Sequence, residues 1–150
     1  MTDVRHATAA DRDAVVRLLV GQFAEHAIAT PEDAIRRGVD HLLDEPAAGR
    51  IVVAVADGTV VGVAVLAFMR ALEHGDRSAW LEELYVDPPR RNGGVGTALL
   101  RAACDAAAAA GAVAIDLEVD AGHARAARLY ERAGFRPLPR ARWVRRLTPA

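Results

Sequence analysis

The residues most suited to chemistry lie in one stretch, Asp87-Pro-Pro-Arg-Arg-Asn-Gly-Gly-Val-Gly-Thr97, which joins a strand-like run to an alanine-rich one. Glycines at 93, 94 and 96 allow positive φ and let a ligand approach the backbone closely. The helix that follows begins with N–H groups that lack intrahelical partners and sit at its positive end, so it attracts anions. Arg90 and Arg91 add positive charge beside them. A pyrophosphate is the natural occupant; the plainer alternative is a turn that uses glycine only to start a helix. A Walker-type loop is excluded because all nineteen basic residues are Arg and the chain has no Lys. A dinucleotide fingerprint also fails. Gly94-Val95-Gly96 begins one, but Leu99 stands at its third glycine and Asp116 falls mid-strand. Cys104 sits among alanines of a helical run and reads as a small buried apolar residue. His6, His26, His41 and His74 show no metal-ligand spacing, so no metal site is expected.

The surrounding pattern gives the elements that must hold this loop. Residues 4–7 read as a short first strand with Thr8 as a cap, and 10–23 as an amphipathic helix through Val15, Leu18, Leu19 and Phe23. Thr30-Pro31-Glu32-Asp33 starts a second helix: a cap, a first-turn proline, then acids at the positive end. Its apolar positions are Ile35, Val39, Leu42 and Leu43, and it stops before Pro46. Strands follow at 50–56 and 59–70 around an Asp57-Gly58 hairpin turn, then at 79–87. Residues 95–110 form a helix closed by Gly111, 112–119 a strand, and 124–133 a helix closed by Gly134. Residues 135–138 and 142–147 are expected as final strands. The order is mixed α/β: an antiparallel meander followed by one parallel crossover.

Composition sets the outer limits. The chain has 150 residues, 52% hydrophobic and 26% charged, which suits one globular domain spanning 1–150 with no internal repeat. Thirty-three alanines favour helix over core volume. Nineteen basic against twenty acidic residues leave a formal charge of −1, which argues against an electrostatic nucleic-acid binder. From Arg125 onward the balance is eight Arg to one acid, Glu131, a skew that fits a solvated face or a phosphate-bearing partner. The N-terminal residues are polar, and the longest apolar run, 60–69, is ten residues, so neither a secretory signal nor a membrane helix is expected. A single Cys excludes an intrachain disulfide. A cytoplasmic chain is the expectation.

With these elements in order, two segments resemble the GNAT superfamily of acyl-CoA-dependent N-acetyltransferases. Arg91-Asn92-Gly93-Gly94-Val95-Gly96, after Tyr85-Val86-Asp87-Pro88, is similar to the family's R/Q-x-x-G-x-G/A turn. Residues 124–135, A-R-A-A-R-L-Y-E-R-A-G-F, resemble its A-x-x-L-Y-E-x-x-G-F ending. The matching motifs cover about Leu81 to Phe135, and the weaker N-terminal β-α-α-β-β order agrees. The resemblance implies a GNAT-like domain with a mostly antiparallel sheet splayed around an acyl-CoA site.

It also implies roles. The loop Arg91, Asn92, Gly93, Gly94, Val95, Gly96 and Thr97 would hold the pyrophosphate of acetyl-CoA, which serves as cosubstrate. The backbone of Leu84, Tyr85 and Val86 would pair with the pantetheine arm like an added strand. A bulge in that strand would free an N–H for the oxyanion. Tyr130 matches the family's general acid, and a phenol of ordinary pKa ~10 stays protonated at neutral pH. The general base is open among Glu82, Glu118 and Glu83, ranked in that order. Glu82 and Glu83 lie on the cofactor strand, whose alternation puts Glu82 with Leu84 and Val86, and Glu83 with Tyr85. Leu117-Glu118-Val119 is similar to the L-E-V segment of ribosomal-protein alanine acetyltransferases. Where many relatives place Asn seven residues before the tyrosine, this chain has His123, which could contact the cofactor, relay a proton or simply begin a helix.

The leading function is acetyl transfer from acetyl-CoA to a primary amine of a small molecule, amino acid or peptide, by direct attack of the neutral amine. A non-catalytic GNAT-fold module that binds acyl-CoA as sensor or scaffold is the alternative; retention of Tyr130 and the candidate acids favours the enzyme. A generic α/β interaction domain would bind no coenzyme A. Glu25, Glu32, Asp33, Glu73 and Asp76 could draw a cationic acceptor. No nucleic-acid or membrane partner is expected, and a homodimer is a family-level expectation only.

Overall fold

The computed structural model describes residues 1–149. They fall into two compact units, one from Met1 to Glu118 and a second that begins at Val119.

The first unit is built on a five-stranded sheet ordered β1-β2-β3-β4-β5. Its strands are β1 (Thr2–His6), β2 (Gly49–Ala56), β3 (Thr59–Ala71), β4 (Asp76–Val86) and β5 (Ile115–Asp116). β1 to β4 pair antiparallel in sequence order, and β5 pairs parallel with β4. Three α-helices accompany it: α1 (Arg12–Glu25), α2 (Glu32–Asp44) and α3 (Val95–Ala109). The mixed α/β order, meander then parallel crossover, is the one expected from the pattern.

Both faces of the sheet are covered. Val15, Val16, Leu18 and Leu19 of α1, with Ile35 and Val39 of α2, bury one face together with Ile51, Val53, Val63, Val65 and Tyr85. The intervening residues Val52, Ala54, Ala64 and Leu66 are as deeply buried on the other face, which α3 covers with Leu99, Leu100, Ala103 and Ala107. Burial on two sides is why β2 and β3 read as near-continuous apolar runs. The Asp57-Gly58 turn between them has positive φ at both residues, 52° and 74°, the hairpin geometry whose twist matches the strands.

Several boundaries shift. The Thr8 hydroxyl donates to Asp11 Oδ2 at 3.1 Å, and the Thr8 N–H to the same atom at 2.8 Å, closing a short 3-10 turn (Ala9–Asp11) ahead of α1. Pro31 takes the cap position of α2 rather than its first turn. β5, expected over 112–119, pairs through two residues only: Ala79 opposes Ile115, and Trp80 opposes Asp116.

In the second unit, α4 (Ala124–Arg132) forms as expected, with His123 at its cap. Residues 135–138 and 142–147 are not strands, contrary to expectation. Trp143, Val144 and Leu147 supply β-forming side chains, but among the described residues their backbone has no ladder partner, and propensity without a partner strand makes no sheet. Among the described residues no helix is long and apolar enough to cross a membrane.

Candidate active site

Two features of the first unit converge at the C-terminal end of β4. The first is the strand's own edge. β5 stops at Asp116, so among the described residues β4 beyond Trp80 keeps only β3 as ladder partner. The second is the loop that leaves β4. Asp87 N–H donates to Val61 O at 2.8 Å, and a 3-10 turn (Pro88–Arg90) leads to Asn92, whose φ is 69°. Gly94 caps α3 with φ 85°, a left-handed conformation that costs a side-chain-bearing residue ~1–2 kcal/mol.

The first bond of α3 runs from Ala98 N–H to Gly94 O at 3.0 Å. The N–H groups of Val95, Gly96 and Thr97 therefore precede the helical ladder. No acidic side chain lies in this first turn and no side chain caps it. Asn92, Gly93, Gly94 and Thr97 are exposed, while Val95 is buried and anchors the helix to the sheet. Residues and geometry fit an anionic pyrophosphate: unpartnered donors at a positive helix end, framed by glycine. The two arginines differ from expectation. Arg90 reaches Asp57 at 3.4 Å, and Arg91 donates to both Glu25 oxygens at 2.9 and 3.1 Å and to Val86 O at 2.9 Å. Each is already paired with a carboxylate.

The edge itself carries a bulge. Val65 opposes Glu83 but Leu66 opposes Leu81, so Glu82 is the extra residue on β4. The simple alternation expected through this segment is thereby broken. Leu81 turns in beside Leu84 on the α3 face and is 5% exposed, whereas Glu83 stays with Tyr85 on the other face. Glu82 is left exposed. Glu83 is half-buried, and burial, reinforced by the charges of Glu82 and Glu118, pushes its carboxyl up to about 7. Glu118 itself is exposed. Of the three carboxylates singled out from sequence, Glu83 has an environment that holds a proton near neutrality, which a bare strand pattern does not reveal.

Leu84 and Val86 are half-buried on this edge and Tyr85 is buried in the core, its hydroxyl donating to Glu25 Oε1 at 2.9 Å. Glu25 was legible only as one surface acid among several; sixty-six residues separate it from Arg91. Cys104 is half-buried in α3, and burial, with the neighbouring Asp105, raises its thiol pKa, which suits a packing role. His74 Nε2 lies 2.7 Å from Asp116 Oδ2, near the paired end of β4. Among the described residues no group of three His, Cys, Asp or Glu could hold a metal ion.

The second unit carries the other two sequence candidates. Tyr130 lies in the last turn of α4, its ring edge-to-face with Phe135 at 5.9 Å and 70°. Phe135 N–H also donates to Tyr130 O at 3.0 Å, so the chain folds back after Gly134 and fixes the tyrosine's turn. His123 N–H donates to Asp120 O at 3.0 Å and its carbonyl accepts from Ala127 at 3.1 Å, which makes it the helix-start residue whatever else it does.

The acetyltransferase (GNAT) family model matches residues 13–135. A mycothiol acetyltransferase of Clavibacter michiganensis is 37% identical over 134 residues, covering 86% of this chain and 40% of the relative. An aminoalkylphosphonate N-acetyltransferase of Salmonella typhimurium is 32% identical over 135 residues, covering 89% of this chain and 84% of the relative. Among solved structures, an integron cassette protein from the mobile metagenome of Cole Harbour Salt Marsh superposes with a TM-score of 0.86 at 29% identity, over 98% of this chain and 91% of that one. This chain spans less than half the length of the mycothiol acetyltransferase it matches.

Proposed function

The chain belongs to the acetyltransferase (GNAT) family, and from that premise we propose that it transfers an acetyl group from acetyl-CoA to a primary amine of a small molecule, amino acid or peptide by direct attack. The observation that carries this reading is the β4 edge. Residues 82–86 have a bulge, a free ladder side and a carboxyl of pKa about 7, all next to an exposed helix start rich in glycine.

When bound, acetyl-CoA supplies a thioester-activated acetyl group. The chain supplies the rest. The N–H groups of Val95, Gly96 and Thr97 receive the pyrophosphate, with Asn92, Gly93 and Gly94 shaping the approach. The backbone of Leu84, Tyr85 and Val86 offers strand-like donors and acceptors to the pantetheine arm. The bulge leaves the extra residue, Glu82, outside the ladder, which suits its N–H to the acyl oxygen. Glu83 accepts the proton of the attacking amine, directly or through water. An amine of pKa ~10.4 must lose that proton before attack, and a carboxyl raised toward 7 is a better acceptor than one at ~4.3. Glu82 and Glu118 act through their charge on Glu83. Tyr130 is assigned from its motif as the acid that protonates the departing thiolate, and His123 as a contact to the cofactor arm or a relay.

The aminoalkylphosphonate in one relative's name is a small amine, so small amines come first in the test. Thiol release is measured with acetyl-CoA against a panel of amines and peptide N-termini. Amine-dependent release is expected. Coenzyme A binding by calorimetry with no release across the panel would point instead to a sensor or scaffold.

A further inference from the structure

Glu25, the last residue of α1, accepts hydrogen bonds from two side chains. The Tyr85 hydroxyl donates to its Oε1 at 2.9 Å, and Arg91 Nη2 lies 2.9 Å from Oε1 and 3.1 Å from Oε2. Arg91 is held twice more: Nε donates to Val86 O at 2.9 Å, and the guanidinium sits 5.1 Å from the Tyr85 ring centroid. One turn before Glu25 stands Gly21, where an added Cβ would come within 3.3 Å of the Tyr85 hydroxyl. Glycine there lets the phenol pass α1 and reach the carboxylate. Burial alone would raise the Glu25 carboxyl, but the bonds from Tyr85 and Arg91 outweigh it and hold the carboxyl below its ordinary range.

An arginine at the head of a phosphate loop invites the reading that it binds phosphate itself. Here its charge already faces a carboxylate and its Nε a backbone carbonyl. The network joins α1, the end of β4 and the first residue of the loop that sets the α3 donors. Loop order fixed before a ligand arrives lowers the conformational cost of binding.

We infer that Glu25 is a positioning residue for coenzyme A: through Arg91 and Tyr85 it braces the loop at 91–94 so that the α3 N–H groups meet the pyrophosphate. This rests on the acetyl-CoA reading of the same site and adds a specific expectation. If Arg91 were a plain phosphate cation, Glu25 would compete with the ligand, and removing it would tighten binding. As a brace, its removal weakens binding.

The test compares two thioesters, acetyl-CoA and S-acetyl-N-acetylcysteamine, the second lacking pyrophosphate. Loss of hydrogen bonds to a charged group should raise KM for acetyl-CoA ~10-fold in Glu25→Ala and less in Glu25→Gln, with kcat nearly unchanged. The short thioester should react equally well with all three proteins. Glu25→Ala on top of Arg91→Ala should add almost nothing, because both remove the same brace. Tyr85→Phe, which keeps the ring and deletes only the hydroxyl, should reproduce part of the KM effect if the Ala variant does not fold. Tighter or unchanged acetyl-CoA binding in the Glu25 variants overturns the inference, as does an equal loss with both thioesters. Failure of the wild type to bind coenzyme A would instead overturn the acetyl-CoA reading itself.

Discussion

From Asp76 to Leu81, β4 is bordered by β3 and, at Ala79 and Trp80, by β5; from Glu82 to Val86 its ladder partner among the described residues is β3 alone. Ser78, Ala79 and Leu81 in the first half are 0%, 1% and 5% exposed and pack as core. The second half holds two adjacent glutamates, one exposed and one half-buried, with Leu84 and Val86 half-buried behind them. The bulge at Glu82 marks the boundary, letting Leu81 pack inward without carrying Glu83 into the same face. An unpaired strand edge normally invites unwanted pairing. Here it adjoins donors suited to an anion and a carboxyl that resists ionising, so what would be a liability is the place where an extended ligand can complete the sheet. The same strand supplies structure at one end and the candidate site at the other.

The largest effect expected from breaking this contrast is at Glu83. Glu83→Gln keeps shape and polarity but removes the proposed proton acceptor, and should lower kcat ~10²-fold at neutral pH. Because the Glu83 carboxyl is raised to about 7, wild-type activity should climb through that pH as the carboxylate forms, and the limb should vanish in the variant. Activity should partly return at high pH, where free amine is abundant. Glu82→Gln and Glu118→Gln should keep turnover but move the limb to lower pH, since each removes a repelling charge, with Glu82 the larger of the two. A Glu82 variant that collapses while the Glu83 variant does not would restore the order read from sequence. The measurement is a pH–rate profile for each with one good acceptor.

A matched pair of glycines sharpens the comparison next. Gly94, at the start of α3, and Gly75, just before the closed end of β4, have nearly the same φ, 85° and 82°, and an added Cβ meets nothing within 4 Å at either. Alanine should therefore cost each ~1–2 kcal/mol of stability through backbone strain alone. Only Gly94→Ala should also weaken coenzyme A binding, by several-fold, because it alone abuts the donors. Thermal melts check the first expectation and calorimetry the second; equal affinity in both variants would detach the loop from the ligand.

Much of this was readable before any coordinates, and the exceptions share a cause. Apolar spacing placed α1 to α3 and β1 to β4 to within a few residues, and the glycine loop was marked by residue type alone. These are local properties, set by propensity and period. The features that local signals do not show depend on partners distant in sequence. β5 is short because pairing with β4 ends at Asp116, not because residues 117–119 lack strand character. The expected strands at 135–138 and 142–147 had the composition but, among the described residues, no partner strand. Arg91 looked like a free cation because nothing in its neighbourhood announces Glu25. Glu83 and Glu82 are chemically identical in the sequence, and only the bulge and the burial that follows tell them apart.

The smallest expected effect concerns stability, where Glu83 and Asp11 should pull in opposite senses. Asp11 is 6% exposed, and its bonds from Arg5, opposed by burial but aided by the Thr8 N–H and hydroxyl, lower its carboxyl to about 2. Its charged form favours the fold, so its contribution is present above the ordinary carboxylate pKa of ~3.9 and is lost as pH falls toward 2. Glu83 is raised to about 7, so the folded chain binds a proton that the unfolded chain has released. Between an ordinary ~4.3 and 7 the unfolded state therefore gains on the folded one, and stability declines as pH rises through that window. Glu83→Gln should flatten the decline and melt a few degrees higher than wild type at pH 8, while leaving the acid limb alone. Asp11→Asn should remove part of the acid limb and leave the neutral window unchanged. Melting temperatures at half-unit steps from pH 2 to 8 separate the two. If Glu83→Gln melts no higher than wild type at pH 8, ionised Glu83 costs the fold nothing, and burial beside Glu82 and Glu118 does not hold its carboxyl against ionisation.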